Sequence, residues 1–307
     1  MLAGRTGLQE GGKMRIGLID VDGHSGFPNL ALMKLSAYHK AKGDSVEWYS
    51  PMFSGHMDKV YMSKVFTFTN DFEYYIDTDE IVKGGTGYKD YSTVLSNEVE
   101  QTFPDYSIYP QADYAIGFLT RGCIRKCPWC VVPKKEGKIH AAGTWDKIKR
   151  PDSNKILFLD NNVLASDHGI HQIEELSKNI YVYIDFNQGL DARLIDASVA
   201  KLLANCKWIR FIRMSCDTSQ SIPVVKKAIR TLEQAGVKPY RVFVYTLVQD
   251  VEESVNRIME IASTGADVFA QPYRDFDGGE PTKEQKRIAN WCNKKSVFKT
   301  CKWEDYK

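Results

Sequence analysis

Cys123-Ile124-Arg125-Lys126-Cys127-Pro128-Trp129-Cys130 is the stretch on which the fold reading turns. Its cysteines are separated by three and then two residues, and a loop with no helical period can fold all three sulfurs inward onto one centre. Three thiolates are one fewer than a closed site takes. Structural zinc is held by four protein ligands, and so is an iron-sulfur cluster that only carries electrons. A four-iron cluster on three cysteines therefore leaves one iron open to a small molecule. Two other readings of the loop stand beside this one: a zinc site completed by a distant His or Cys, and three cysteines with no metal role.

Working outward, the residues before the loop, Tyr114 to Thr120, form an apolar run that predicts a strand. Further strands are expected at Lys155–Asp160, Tyr181–Phe186, Trp208–Ser215, Tyr240–Leu247 and Asp267–Gln271, with helical segments between them. In one helix Ile222, Val225, Ile229 and Leu232 share a face; in another Val251, Val255, Ile258 and Ala262 do, behind an Asp250-x-x-Glu253 capping box. Six such alternations imply a parallel sheet with right-handed crossovers that closes partly into a barrel. Functional groups of a parallel barrel gather at the carboxyl ends of its strands, which is where the cysteine loop lies.

A CxxxCxxC loop with an aromatic residue just before its last cysteine resembles the signature of radical S-adenosylmethionine (SAM) enzymes. The resemblance implies a 4Fe-4S cluster on Cys123, Cys127 and Cys130, with Trp129 near the adenine of SAM. It also implies a partial (βα)6 TIM-like barrel, and chemistry in which a cluster electron cleaves SAM to methionine and a 5'-deoxyadenosyl radical. That radical takes hydrogen from a small-molecule, peptide or nucleic-acid substrate. In this family the end of the second strand holds the SAM amino group, often through Gly-Gly-Glu. Here Asp160-Asn161-Asn162 stands in its place, and its oxygens can accept from an ammonium. Arg193, beyond the third strand, is expected to pair with the SAM carboxylate. After the fourth strand Ser215 is expected near that carboxylate and Asp217 near a ribose hydroxyl. Asp217 and Asp191 read equally well as helix caps.

Upstream, Arg15–Asp20 predicts a buried strand, Pro28–Lys42 a helix with Leu30, Met33 and Ala37 on one face, and Val46–Tyr49 a second strand. Apolar stretches follow at Val60–Phe68 and Glu80–Gly87. This is the pattern of a Rossmann-like unit, whose ligands sit at strand carboxyl ends. It resembles a short form of the cobalamin-binding domain of some radical SAM enzymes, and Phe103-Pro104-Asp105-Tyr106 is similar to their linker. The DxHxxG signature is absent, since Asp22-Gly23-His24-Ser25-Gly26 is one residue too short, so His24 reads as a polar loop residue and cobalamin as an open option without a motif.

The expected organisation is thus a tag or vector remnant at 1–13, a Rossmann-like domain at 14–110, the partial barrel at 111–276 and a carboxyl-terminal extension at 277–307. That extension carries a Gly-Gly turn and a Lys-rich helix around Lys283–Lys295, suited to covering the barrel bottom or meeting a partner. The 307 residues suffice for one large or two modest domains, and 43% hydrophobic with 26% charged residues is an ordinary globular balance. A net charge of +2 gives no global field toward nucleic acid or a membrane, and no apolar run is long enough to span a bilayer. Seven cysteines, an odd number with three in the loop, argue against a disulfide framework and for a reducing, cytoplasmic setting. Cys206, Cys216, Cys292 and Cys301 lack the tight spacing of a second cluster and read as ordinary thiols. Arg125, Lys126, Lys134, Lys135 and Lys138 make a basic rim suited to an acidic electron donor such as flavodoxin or ferredoxin. The run Cys130–Gly137 also resembles a segment of the methylthiotransferases that modify transfer RNA, without their additional domains.

Overall fold

The computed structural model describes residues 12–276 and 279–306. Residues 1–11 of the expected tag, and part of the Gly-Gly turn at 278–279, lie outside the described residues. The chain divides between Ala112 and Asp113 into two compact units.

The first unit is built on a four-stranded parallel sheet: β1 (Arg15–Asp20), β2 (Ser45–Trp48), β3 (Lys59–Ser63) and β4 (Ile81–Gly84), in the order β2-β1-β3-β4. Buried Ile16 and Leu18 of β1 pack with Leu32 and Leu35 of helix α1 (Leu30–Ala41); a second short helix, α2 (Asn97–Glu100), adds Val99. Of the expected Leu30, Met33 and Ala37, only Met33 lies on the buried face of α1. That face is Leu32, Met33, Leu35, Ser36 and His39. Two of these are polar, and they bury because they are bonded: Ser36 Oγ donates to Asp105 at 2.7 Å, and the His39 ring lies 2.7 Å from Asp44 and 3.0 Å from the Tyr61 hydroxyl. An apolar count over one face cannot register them.

The second unit opens with β5 (Ala115–Gly117) and a small antiparallel pair, β6 (Thr120–Arg121) with β7 (His140–Ala141), which closes the neck of the cysteine loop. Between β6 and β8 come helices α3 (Val132–Lys135) and α4 (Trp145–Ile148). Then strand and helix alternate: β8 (Lys155–Phe158), α5 (Asp167–Lys178), β9 (Tyr183–Phe186), α6 (Ala197–Asn205), β10 (Lys207–Trp208) with β11 (Ile212–Ser215), α7 (Ile222–Gln234), β12 (Val242–Val248), α8 (Val251–Ala262) and β13 (Asp267–Pro272). The ladders are parallel, in two sheets ordered β10-β9-β8-β5 and β11-β12-β13.

The single strand expected at Trp208–Ser215 is broken, because the chain leaves one sheet at Trp208 and joins the other at Ile212. The two sheets communicate through an isolated parallel bridge, Leu190 to Met214, with Leu190 N donating to Arg213 O at 2.7 Å. Strand Tyr114–Thr120 is likewise split after Gly117, since the amides of Leu119 and Thr120 turn away to the Asp160 carboxylate just beyond the next strand. One sheet face is covered by the expected apolar stripes, Val225, Ile229 and Leu232 of α7 and Ile258 of α8. On α8 the fully buried residues also include Arg257, while Val251, Val255 and Ala262 are only partly buried.

After β13 the chain forms α9 (Lys283–Asn293) and α10 (Lys295–Thr300), begun by a reciprocal Thr282/Gln285 capping box. This segment covers an edge strand. Asn293 accepts from Ala270 N and donates to Ala270 O, both at 2.9 Å, on the side of β13 away from β12. Trp291 and Cys292 are buried in the same core. No helix among the described residues is long and apolar enough to cross a membrane.

Candidate metal-cluster site

The loop that carries Cys123, Cys127 and Cys130 leaves and re-enters the unit through a tight neck. Gly122 has φ +84°, and a Cβ there would lie 2.4 Å from the Lys138 carbonyl oxygen, so only glycine lets the two arms close. Cys123 N donates to Gly137 O at 3.3 Å and Cys130 N to Cys127 O at 3.0 Å. All three thiols are free and partly buried. Burial pushes the Cys127 thiol up, with the Arg193 charge pulling it partly back, and burial also pushes up Cys130.

Carboxylates and amides at the strand ends hold this loop. Asp160, 1% exposed beyond β8, accepts from Leu119 N at 3.1 Å, Thr120 N at 2.6 Å and Thr120 Oγ1 at 2.7 Å. Burial pushes its carboxyl up to about 6 against the pull of those donors. Its oxygens are thus engaged by the chain that leads into the loop. Asn161 Oδ1 accepts from Gly122 N at 3.0 Å. Asn162, 2% exposed, turns Nδ2 toward Cys123 Sγ at 3.4 Å and Asp191 Oδ2 at 3.3 Å, while its Oδ1 is buried with no partner. An unmet buried acceptor of this kind is rare in folded proteins and fits a donor supplied by a ligand.

Asp191 is the hub of the arrangement. Its Oδ2 accepts from Arg125 Nε at 2.8 Å, and its Oδ1 accepts from Arg193 Nε at 2.6 Å and Arg193 N at 3.2 Å. Burial acts to raise its carboxyl, but the two guanidinium groups outweigh it and hold it below the ordinary range. It is therefore both cap and ion-pair partner. Arg125 belongs to this buried pairing rather than to the basic rim, whose exposed members are Lys126, Lys134, Lys135 and Lys138. Arg193 remains half exposed. Asp217 accepts from Leu247 N at 3.2 Å and from the Ser215 hydroxyl; burial pushes its carboxyl up. Trp129 is half buried on the loop.

Two features of these strand ends escape a reading of strand pattern alone. Arg213 makes a bidentate pair with Asp185, at 2.7 and 2.8 Å, and donates to the Tyr245 hydroxyl at 3.0 Å. Opposite charges inside two otherwise apolar strands were the available signal. Arg257, 0% exposed, donates to Cys216 O and Leu247 O at 2.8 Å each and pairs with Glu253 at 2.9 Å. Glu253 consequently does not complete the expected capping box: Asp250 accepts from Glu253 N at 2.8 Å, but the Glu253 carboxylate accepts from Ser219 Oγ at 2.5 Å instead.

The donor set suits an iron-sulfur cluster. Soft thiolates select such clusters or zinc, and the N–H groups aimed at Cys123 sulfur are the outer contacts such ligands receive. Among the described residues no group of three or more His, Cys, Asp or Glu is drawn in around a single ion. Thiolates on a four-iron cubane each bind a different iron and stand wider apart than ligands of one ion.

No family model matches the sequence, and no curated protein matches it. A solved structure does: the cobalamin-dependent S-adenosylmethionine radical enzyme OxsB, with aqua-cobalamin and S-adenosylmethionine bound, at 12% identity and a TM-score of 0.56. The alignment covers 94% of this chain and 56% of that one, so the chain spans little more than half the length of its neighbour. The likeness shows the fold.

In the first unit, the crevice where a doubly wound sheet takes its ligand lies between the ends of β1 and β3. Here the polar groups at those ends bond one another. Asp22 accepts from Val65 N at 2.5 Å and from Thr69 Oγ1; Asn29 Nδ2 donates to Ser63 Oγ at 2.8 Å. The space beside Gly85 is taken by the backbone of Lys64, and that beside Gly87 by the Lys64 side chain and the Phe66 carbonyl. No step below runs through cobalamin.

Proposed function

We propose that the chain is a radical SAM enzyme. The observation that carries this reading is the three-cysteine loop at the strand ends of the second unit, tied through Asn162 and Asp191 to the exits of β8 and β9, in a chain with the fold of such an enzyme. The two parallel sheets of that unit, joined at Leu190 and Met214, are read as one partial six-stranded barrel, and the first unit as a short Rossmann-like domain.

Cys123, Cys127 and Cys130 would hold a 4Fe-4S cluster. When bound, the cluster supplies the electron that cleaves SAM to methionine and a 5'-deoxyadenosyl radical able to take hydrogen from a substrate. The protein's part is positional. Asn162 Oδ1 is the acceptor for the SAM ammonium, meeting its own missing hydrogen bond. Arg193, half exposed and anchored at Nε by Asp191, presents the rest of its guanidinium to the carboxylate. Ser215 and Asp217 offer a hydroxyl and a carboxylate to the ribose side, and Trp129 an aromatic face to the adenine. Asp160 and Asn161 act one step removed, by holding the backbone at Leu119, Thr120 and Gly122 from which the loop springs. The exposed lysines 126, 134, 135 and 138 suit an acidic electron donor such as flavodoxin or ferredoxin.

The test is anaerobic reconstitution with iron and sulfide, addition of SAM and a strong reductant, and detection of 5'-deoxyadenosine by mass spectrometry. Its formation, lost in Cys127→Ala together with the cluster while the first unit stays folded, supports the reading. A fully assembled cluster that neither binds nor cleaves SAM refutes it.

A further inference from the structure

We infer that Asn162, locked in one orientation by Asp191, sets the electron affinity of the cluster through Cys123. The inference rests on the radical SAM reading and gives Asn162 a second role, on the cluster's potential, beside the SAM contact of its other end. Cys123 sulfur receives two N–H groups, from the backbone of Arg125 at 3.3 Å and from Asn162 Nδ2 at 3.4 Å. Among the described residues it is the one thiol of the three that a side-chain amide reaches. Hydrogen bonds to a ligand sulfur favour the more negatively charged, reduced cluster and so raise its reduction potential.

The amide cannot turn over without loss. Asp191 Oδ2, 3.3 Å from the same Nδ2, is an acceptor only, so a flipped Asn162 would set its carbonyl oxygen against a carboxylate. Asp191 is in turn fixed from both sides by Arg125 and Arg193. Arg125 comes from the cysteine loop and Asp191 from the exit of β9, so the ion pair that orients the amide also fixes the loop against it. The two oxygen and nitrogen ends of one buried side chain thus serve different partners: Nδ2 the cluster ligand, Oδ1 the unmet acceptor.

The experiment is a redox titration of reconstituted protein, followed by the electron paramagnetic resonance signal of the reduced cluster, with iron per chain measured in parallel. Asn162→Leu keeps the branched heavy-atom shape and removes the donor. It is expected to load iron as the parent does and to lose about tenfold in the ratio of reduced to oxidised cluster at a fixed potential, the effect of one hydrogen bond to a charged group. That is a shift of about 59 mV to more negative potential for one electron. Asn162→Ala removes the same donor with a smaller side chain and is expected to shift the potential the same way; it serves as the test if the leucine variant does not load iron. A potential unmoved in iron-loaded variants, with a parent protein that forms 5'-deoxyadenosine, overturns this inference alone. A parent protein that assembles no cluster overturns the radical reading and this inference together.

Discussion

Replacing Arg257 by methionine separates what a buried charge does for the fold from what an apolar side chain of similar length can do. The guanidinium has 0% exposure and ties together the exits of two adjacent strands, through Cys216 O after β11 and Leu247 O in β12, with Ser254 Oγ accepting at 3.1 Å. Methionine keeps the packing of the stem but leaves both buried carbonyls without their charged donor, at about 1–3 kcal/mol each. Glu253, a third exposed, can turn to water, and the buried Nε, which has no partner, disappears as a penalty. The net loss is about 3 kcal/mol, at the lower edge of what breaking a buried pair costs. For a unit of this size that lowers the melting temperature by about 6–12 °C. Equilibrium unfolding in urea, followed by circular dichroism, reads the change directly. Lysine should do little better than methionine, because one ammonium cannot reach acceptors on both strands and the helix at once. A loss below about 1 kcal/mol in Arg257→Met would refute the argument that this side chain clamps the strand ends.

Gly122→Ala places a methyl 2.4 Å from the Lys138 carbonyl at a positive φ; iron per chain after reconstitution should fall below half of the parent value with little change in far-ultraviolet circular dichroism. Asp105 accepts from Lys40, Ser107 and Ser36; burial works to raise its carboxyl, and these donors override it and hold it at about 2. A folded value below the unfolded 3.8 means that its contribution is present above about pH 4 and is lost as the pH falls through about 2. In Asp105→Asn the urea midpoint should lose that acid arm. Asp160 has the opposite sign: burial lifts it to about 6, so its contribution is complete below about pH 4 and declines as the pH rises through 6. The difference in unfolding free energy between the parent and Asp160→Asn should fall across that window and be flat above it.

The strand and helix pattern of the second unit was legible because each strand is short, apolar and followed by an amphipathic helix; Val225, Ile229 and Leu232 could be placed on the core by spacing alone. The breaks were not legible. Strand Trp208–Ser215 is a continuous apolar and basic run, and only the bridge from Leu190 to Met214 tells which residues pair with which sheet. On α8 the expected Val251, Val255, Ile258 and Ala262 all pack on the core, and what spacing missed is Arg257 beside them; on α1 it missed Ser36 and His39, which are buried by hydrogen bonds that periodicity does not contain.

The same limit explains the candidate site. A carboxylate at a strand end can hold a ligand or hold the neighbouring chain, and the residue type suits both. The structure separates the cases by what each oxygen already touches. Asp22 takes Val65 N, Asp160 takes Leu119 and Thr120, and Asp217 takes Leu247 N, each bonding the exit of an adjacent strand. A strand-end aspartate in this chain is thus first a strap between neighbouring exits. Asn162 is distinguished by having one atom bonded and the other buried and unmet, a combination that a structural strap does not need. The ammonium contact is therefore proposed for Asn162, whose hydrogen bonding is incomplete, while Asp160 and Asp191 hold the cysteine loop and that residue in register.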